Sequence, residues 1–138
     1  MFYGITENTD KRVDHVFLDI RDREALAKAM KGIDIVFHAA AMKHVIAAER
    51  NPTEAIATNV AGTQNVIEAS VANGAEYMIL ISTDKAVNPS NVMGTTKLLA
   101  ERLVGSVASS QKKGNTKFGV VRFGNVLYSQ GSVLKIWA

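Results

Sequence analysis

A chain of 138 residues with 47% hydrophobic and 21% charged residues has the make-up of an ordinary globular protein, and its formal net charge of +3 is dispersed rather than gathered into a nucleic-acid footprint. It holds no cysteine, which excludes disulfides and thiolate metal sites, and its three histidines show no metal-ligand spacing. No apolar run approaches the ~18 residues of a membrane span, and nothing at the amino terminus resembles a signal peptide.

Residues Met1 to Asp14 are polar and weakly patterned and read as loop. Val16-Phe17-Leu18 reads as a short strand that Asp19-Ile20-Arg21-Asp22 ends. Asp22 is placed to cap a helix over Arg23 to Lys31, with Gly32 as its stop. Ile33 to Phe37 is β-branched and nearly all apolar, the pattern of a parallel strand covered on both faces. His38-Ala39-Ala40-Ala41 follows, with small residues that let a flat ligand approach the backbone. Asn51-Pro52-Thr53-Glu54 combines a cap, a proline at the first helical position and a glutamate three residues after the cap. It predicts a helix to about Asn73, with Ile56, Val60, Ile67 and Val71 on its apolar face and Gly74 at its end. A strand from Tyr77 to Ser82, a helix from about Val92 to Ser109, a loop over Lys112 to Asn115 and a strand from Phe118 to Phe123 follow. Strands alternating with helices at this spacing predict an α/β chain with a parallel sheet, in one domain over residues 1–138.

The apolar run Tyr77 to Ile81 ends in a hydroxyl, a carboxylate and an ammonium: Thr83, Asp84 and Lys85. Polar groups at the carboxyl end of a buried strand sit where open α/β sheets bind ligands. Met93 and Lys97 lie one turn apart on the helix that follows, so they share a face. In a continuous strand Asp84 and Lys85 would point to opposite faces. For both to reach one substrate the chain must leave the extended conformation near Thr83, and Asn88-Pro89 downstream suits that departure.

Thr83-Asp84-Lys85 followed by Met93-Gly94-x-x-Lys97 resembles the sugar-nucleotide 4,6-dehydratases of the extended short-chain dehydrogenase/reductase superfamily. More narrowly, the chain is similar to the polysaccharide-biosynthesis dehydratases that act on UDP-N-acetylglucosamine. His38 to Val45, Asn51-Pro52-x-Glu54-Ala55, Thr58-Asn59-Val60-x-Gly62-Thr63 and Arg122-Phe123-Gly124-Asn125-Val126 carry the resemblance further, and it is nearly continuous from Asp19 to Val133. It implies a Rossmann-like parallel sheet with helices on both faces, a nicotinamide cofactor (NADP or NAD) and a UDP-sugar substrate. It also implies a homo-oligomer or a complementing chain as partner, and a cytoplasmic location for this segment, with a membrane anchor elsewhere in the parent enzyme left open.

Most of the superfamily pairs a tyrosine with a lysine four residues on; here Lys97 is present and Met93 stands at the tyrosine position. A thioether carries no proton. The resemblance therefore gives the 4-hydroxyl proton to Thr83, Asp84, Lys85 or an ordered water. It implies hydride transfer from carbon 4 of the sugar to the nicotinamide, loss of water across carbons 5 and 6, and return of the hydride to carbon 6. Lys85 is then the base at carbon 5 and Asp84 the acid at carbon 6. The acid needs burial to keep its proton and the base needs desolvation to lose its own; a salt bridge between them opposes both, so they should be kept apart or coupled through substrate. By the same resemblance Asp19, Ile20, His38, Ala39, Ala40 and Lys97 contact the cofactor, and Lys43, His44, Asn59 and Asn125 serve the substrate. His38 reads equally well as a buried, satisfied histidine, and Asp19 as a helix-start residue.

No strand, glycine-rich turn and helix of the kind that cradles a pyrophosphate occurs in the chain. The expectation is an incomplete domain lacking its first βαβ unit, a fragment inactive by itself. Relative to the dehydratases, Tyr128 replaces a usual glycine and Gln130 a usual arginine. Rival readings are a nucleotide-sugar epimerase or reductase of the same fold, and a non-catalytic nucleotide-binding scaffold.

Overall fold

The computed structural model describes residues 12–110, 116–124 and 126. Three parallel strands form one sheet in the order β1 (Ile35–His38), β2 (Tyr77–Thr83), β3 (Lys117–Phe123). Five α-helices accompany them: α1 (Arg23–Ala29), α2 (Val45–Arg50), α3 (Pro52–Ile56), α4 (Gly62–Ala72) and α5 (Val92–Ser110).

The local signals set most boundaries. The Asp22 carboxylate accepts the Ala25 N–H at 3.0 Å and starts α1. Gly32 and Gly74, both at φ +73°, supply the left-handed residue just beyond α1 and α4. Pro52 opens α3 as expected, and α3 runs through a π-helical turn, Ala57–Ala61, directly into α4.

That π turn corrects the predicted apolar face. An extra residue in the turn rotates everything beyond it by about 100° relative to a regular helix. Ile56 and Val71, expected inside, are 52% and 43% exposed. Ile67 is buried as expected, and it lies in a stripe with Asn59, Thr63, Val66 and Ser70.

The core joins Leu26 of α1 and its C-cap Met30, Val66 and Ile67 of α4, Met78 and Leu80 of β2, and Ala100 and Val104 of α5. All of these lie on one face of the sheet. By register, Ile35 and Phe37 share the opposite face with Tyr77, Ile79, Ile81, Val121 and Phe123. Among the described residues no element covers that face, and Phe37 is 67% exposed. Among the described residues β1 thus packs on one face, where its apolar make-up predicts cover on both. Val16-Phe17-Leu18 forms no strand either: it has no ladder partner among the described residues, and Phe17 is 92% exposed. An apolar triplet supplies side chains for a strand but not the neighbouring backbone that a ladder requires. No helix among the described residues is long and apolar enough to cross a membrane.

Candidate functional site

β2 stops at Thr83, and Asp84–Ala86 turns at once into a 3-10 helix. The departure from extended backbone thus comes where two adjacent charged side chains need it. Thr83 Oγ1 accepts the Lys85 N–H at 3.3 Å and donates to Asp84 Oδ1 at 3.0 Å, which caps the turn and orients the carboxylate. The turn packs on the start of α5, where Gly94 leaves no room: a Cβ built there would lie 2.3 Å from the Lys85 carbonyl oxygen. That close approach went unnoticed in the sequence, where Gly94 was only part of a motif.

Asp84 and Lys85 are not held apart. Lys85 Nζ lies 3.3 Å from Asp84 Oδ1, with both side chains about half exposed. The Thr83 hydroxyl first, and then Lys85, hold the Asp84 carboxyl below its ordinary value, the reverse of the upward shift expected from burial. The cause is the turn itself, which places donor and acceptor side by side in solvent.

Lys97 is 6% exposed, and its Nζ donates to the Ile81 carbonyl at 2.7 Å, two residues before the Thr83 turn. Burial lowers its pKa. Met93 is also buried, in an apolar cluster with Ala48 and Ala55.

His38 is buried, with Nε2 2.9 Å from Thr63 Oγ1. The Thr63 hydroxyl proton is already committed to the Asn59 carbonyl at 2.7 Å, so His38 is the donor and its Nε2 carries the proton. Desolvation first, then the Lys97 charge, push its pKa down to about 4. The satisfied-histidine reading describes the side chain, while the exposed Ala39 and Ala40 beside it leave backbone open at the strand end. A neutral His38 in the folded state and a value near 6.5 in the unfolded chain mean that the unfolded state binds the extra proton. Stability is then full above about pH 6.5 and falls as the pH drops toward about 4, by about 3 kcal/mol. Urea unfolding of the chain between these limits checks this; in His38→Gln the slope in that window should flatten, and an unchanged slope would refute it.

Asn59 sits in the π turn. Its Oδ1 accepts the Met42 N–H at 2.7 Å, and its Nδ2 donates to the Met42 carbonyl at 3.2 Å and to Thr96 Oγ1 at 2.9 Å. One buried amide thereby ties the segment after β1 to α5, one residue from Lys97. Asp19 is gripped by Arg21, whose Nη2 lies 2.6 Å from Oδ2 while Nη1 reaches Glu54 Oε2 at 2.6 Å. That grip holds the Asp19 carboxyl below its usual range. Ile20 packs inward against the core, and its carbonyl accepts from Asn65 Nδ2 at 3.0 Å. Lys43 and His44 are exposed on the segment leading into α2. Asn125, Tyr128, Gln130 and the Lys112 to Asn115 loop lie outside the described residues. The structure therefore gathers Thr83, Asp84, Lys85, Met93, Lys97, His38 and Asn59 around one end of the sheet, and sets Asp19 apart in an ion-pair network.

Residues 4–138 match the family described as polysaccharide biosynthesis protein. The chain is 58% identical over 118 residues to an uncharacterized membrane protein of Methanocaldococcus jannaschii, covering 86% of this chain and 35% of that protein. It is 53% identical over 118 residues to the inverting UDP-N-acetylglucosamine 4,6-dehydratase of Campylobacter jejuni, covering 84% and 35% respectively. With the UDP-glucose 4-epimerase of Rickettsia felis it shares 45% identity over 119 residues, 86% of this chain and 35% of that one. The chain spans about a third of the length of these curated relatives. Among solved structures, Pen from Bacillus thuringiensis superposes with a TM-score of 0.91 at 44% identity, covering 94% of this chain and 41% of that one. MoeE5 in complex with UDP-glucose and NAD superposes with a TM-score of 0.72 at 28% identity, covering 78% and 40%. The partial parallel sheet and its helices are Rossmann-like.

Proposed function

The chain belongs to the polysaccharide biosynthesis protein family, and from that premise we propose that it carries the acid–base machinery of an NAD(P)-dependent nucleotide-sugar 4,6-dehydratase acting on UDP-N-acetylglucosamine. The observation that carries this reading is the Asp84–Ala86 turn, which sets a carboxylate and an amine together at the end of the central strand, packed on the helix that holds Lys97.

The ion pair is compatible with acid–base work. An ionised Asp84–Lys85 pair and a neutral carboxylic acid with a neutral amine differ only by one proton passed across 3.3 Å. In water the ionised form wins; a substrate that excludes water disfavours separated charge and favours the neutral couple. The neutral Lys85 amine then takes the proton from carbon 5, and the Asp84 acid gives its proton to the hydroxyl leaving carbon 6 as water. Lys85 returns its proton to carbon 5 as the hydride arrives at carbon 6, and the proton released from the 4-hydroxyl when carbon 4 is oxidised restores the Asp84 acid, so the neutral couple is regenerated. Thr83, already donating to Asp84 Oδ1, fixes which oxygen remains for that work.

The nicotinamide end of the cofactor fits this end of the sheet. Ala39 and Ala40 leave backbone accessible beyond β1, and the buried Lys97 ammonium is directed at the β2 terminus. Bound NADP or NAD would supply the acceptor and donor of the hydride that leaves carbon 4 and returns to carbon 6. The residues of this chain bind and orient: Lys97 offers positive charge, Met93 closes the apolar wall, and Asn59 keeps the segment after β1 in register with α5.

An epimerase reading draws on the Rickettsia felis relative. Inversion at carbon 4 has no use for an acid–amine couple that removes water, so the turn favours the dehydratase. The test is a chimera in which this chain replaces the matching 118 residues of the Campylobacter jejuni dehydratase. The chimera should convert UDP-N-acetylglucosamine to a 4-keto-6-deoxy product with loss of water. A folded, cofactor-binding chimera that yields only the 4-epimer, or no product, defeats the reading.

A further inference from the structure

Lys97 is a charged group with little water around it. The Ile81 carbonyl satisfies one of its protons but supplies no counter-charge. The nearest anion on its own helix is Glu101, one turn further along α5 and on the same face. The Glu101 side chain is only 10% exposed, and two parallel hydrogen bonds fix it: Arg122 Nε to Oε1 at 2.9 Å and Arg122 Nη2 to Oε2 at 2.6 Å. A bidentate guanidinium allows the carboxylate little rotation. Arg122 reaches it from β3, and by register its neighbour on β2 is the buried Ser82. Lys97 and Glu101 form no ion pair within 4.0 Å, so a carboxylate locked in this way acts on the lysine across one helical turn rather than by contact. Nothing in the motifs of the sequence marked it.

We propose that Glu101, clamped by Arg122, is the counter-ion of the buried Lys97 ammonium and a positioning residue for the reaction read above. The proposal rests on that reading only for its consequence in catalysis; the coupling itself is a property of this chain. Other charged or titratable groups around Lys97 are few among the described residues. His38 of β1 is neutral; Asp84 and Lys85, on the turn packed against the start of α5, are paired with each other; Arg122 of β3 is paired with Glu101 and competes with Lys97 for it. Arg122 foremost, with Ser82 and Lys97 adding to it, holds the Glu101 carboxyl below its ordinary value against the effect of burial. Glu101 in turn acts upward on Lys97, against the downward pull of desolvation.

The test follows the Lys97 ammonium by nitrogen-detected NMR titration of the full 138-residue chain. In Glu101→Gln the Lys97 midpoint should fall by about one pH unit, a tenfold loss of proton affinity. In Arg122→Gln the anion stays and a competing cation goes, so the midpoint should rise. A merely structural clamp lowers the thermal midpoint in both variants and leaves the Lys97 titration where it was; that outcome, in either variant that folds, overturns the proposal. Inactivity of the chimera together with the opposed Lys97 shifts would defeat the dehydratase reading and leave the counter-ion standing.

Discussion

Lys85→Ala, made in the chimera, should lower the rate of water elimination by about 10²–10⁴-fold, the usual contribution of a positioned general base. The effect belongs in kcat, because the amine acts on the proton at carbon 5 and not on the nucleotide. Affinity for UDP-N-acetylglucosamine should change little. Lys85 is 44% exposed and contacts Asp84 at 3.3 Å, so its loss also leaves Asp84 without a partner, though in solvent rather than buried. For that reason the variant should fold normally, and urea unfolding serves as the control. Exchange of the carbon-5 hydrogen with deuterated water is the sharper measurement. It should disappear in Lys85→Ala while oxidation at carbon 4 persists in a single turnover. Undiminished exchange would remove Lys85 from the role of base and return the turn to an ordinary surface ion pair.

Gly94→Ala should destabilise the chain by about 1–3 kcal/mol, the usual cost of forcing extra volume into a tight contact. Helix propensity argues the other way, since alanine in a helix is favoured over glycine by about 1 kcal/mol. Contact decides the sign. The new Cβ would meet the Lys85 carbonyl oxygen at 2.3 Å and Pro89 Cβ at 3.1 Å, and neither atom is the loose end of a side chain. α5 must then move off the Asp84–Ala86 turn, so the same change should reduce turnover in the chimera more than it reduces stability. Gly62→Ala is the matched comparison. There a Cβ meets side-chain atoms of Ile20, Cδ1 at 2.6 Å and Cγ1 at 2.8 Å, which can shift by rotation where a backbone carbonyl cannot, and the Ala57 carbonyl oxygen at an ordinary 3.7 Å. Urea midpoints should separate the two, with Gly62→Ala near the parent and Gly94→Ala well below it; equal midpoints would mean the close approach at Lys85 carries no cost.

The turn was legible in advance because its signal is local. A β-rich run broken by Thr83-Asp84-Lys85 and followed by Asn88-Pro89 leaves the backbone few ways to continue as a strand, and Asn88 indeed adopts a positive φ of 46°. The cap at Asp22, the proline at Pro52 and the glycines at Gly32 and Gly74 were legible for the same reason. Ile56 and Val71, on opposite sides of a π turn, cannot share one face with Ile67, because the turn leaves no mark in hydrophobic periodicity yet changes the phase between the residues before and after it. Burial of Asp84 is expected because an acid must keep its proton; solvent reaches it because the chain turns before the side chain can enter the sheet.

Caps, breaks and the order of strands and helices came from the chemistry of neighbouring residues, acting over distances of a few bonds, and they hold wherever the chain is placed. Whether Val16 to Leu18 pairs, which face of the sheet is packed, and how Glu101 meets Arg122 across 21 residues depend on which backbone lies alongside. Hydrogen-bond ladders and ion pairs need a partner from another segment, and that partner is supplied by packing between elements, not by the residues next in line.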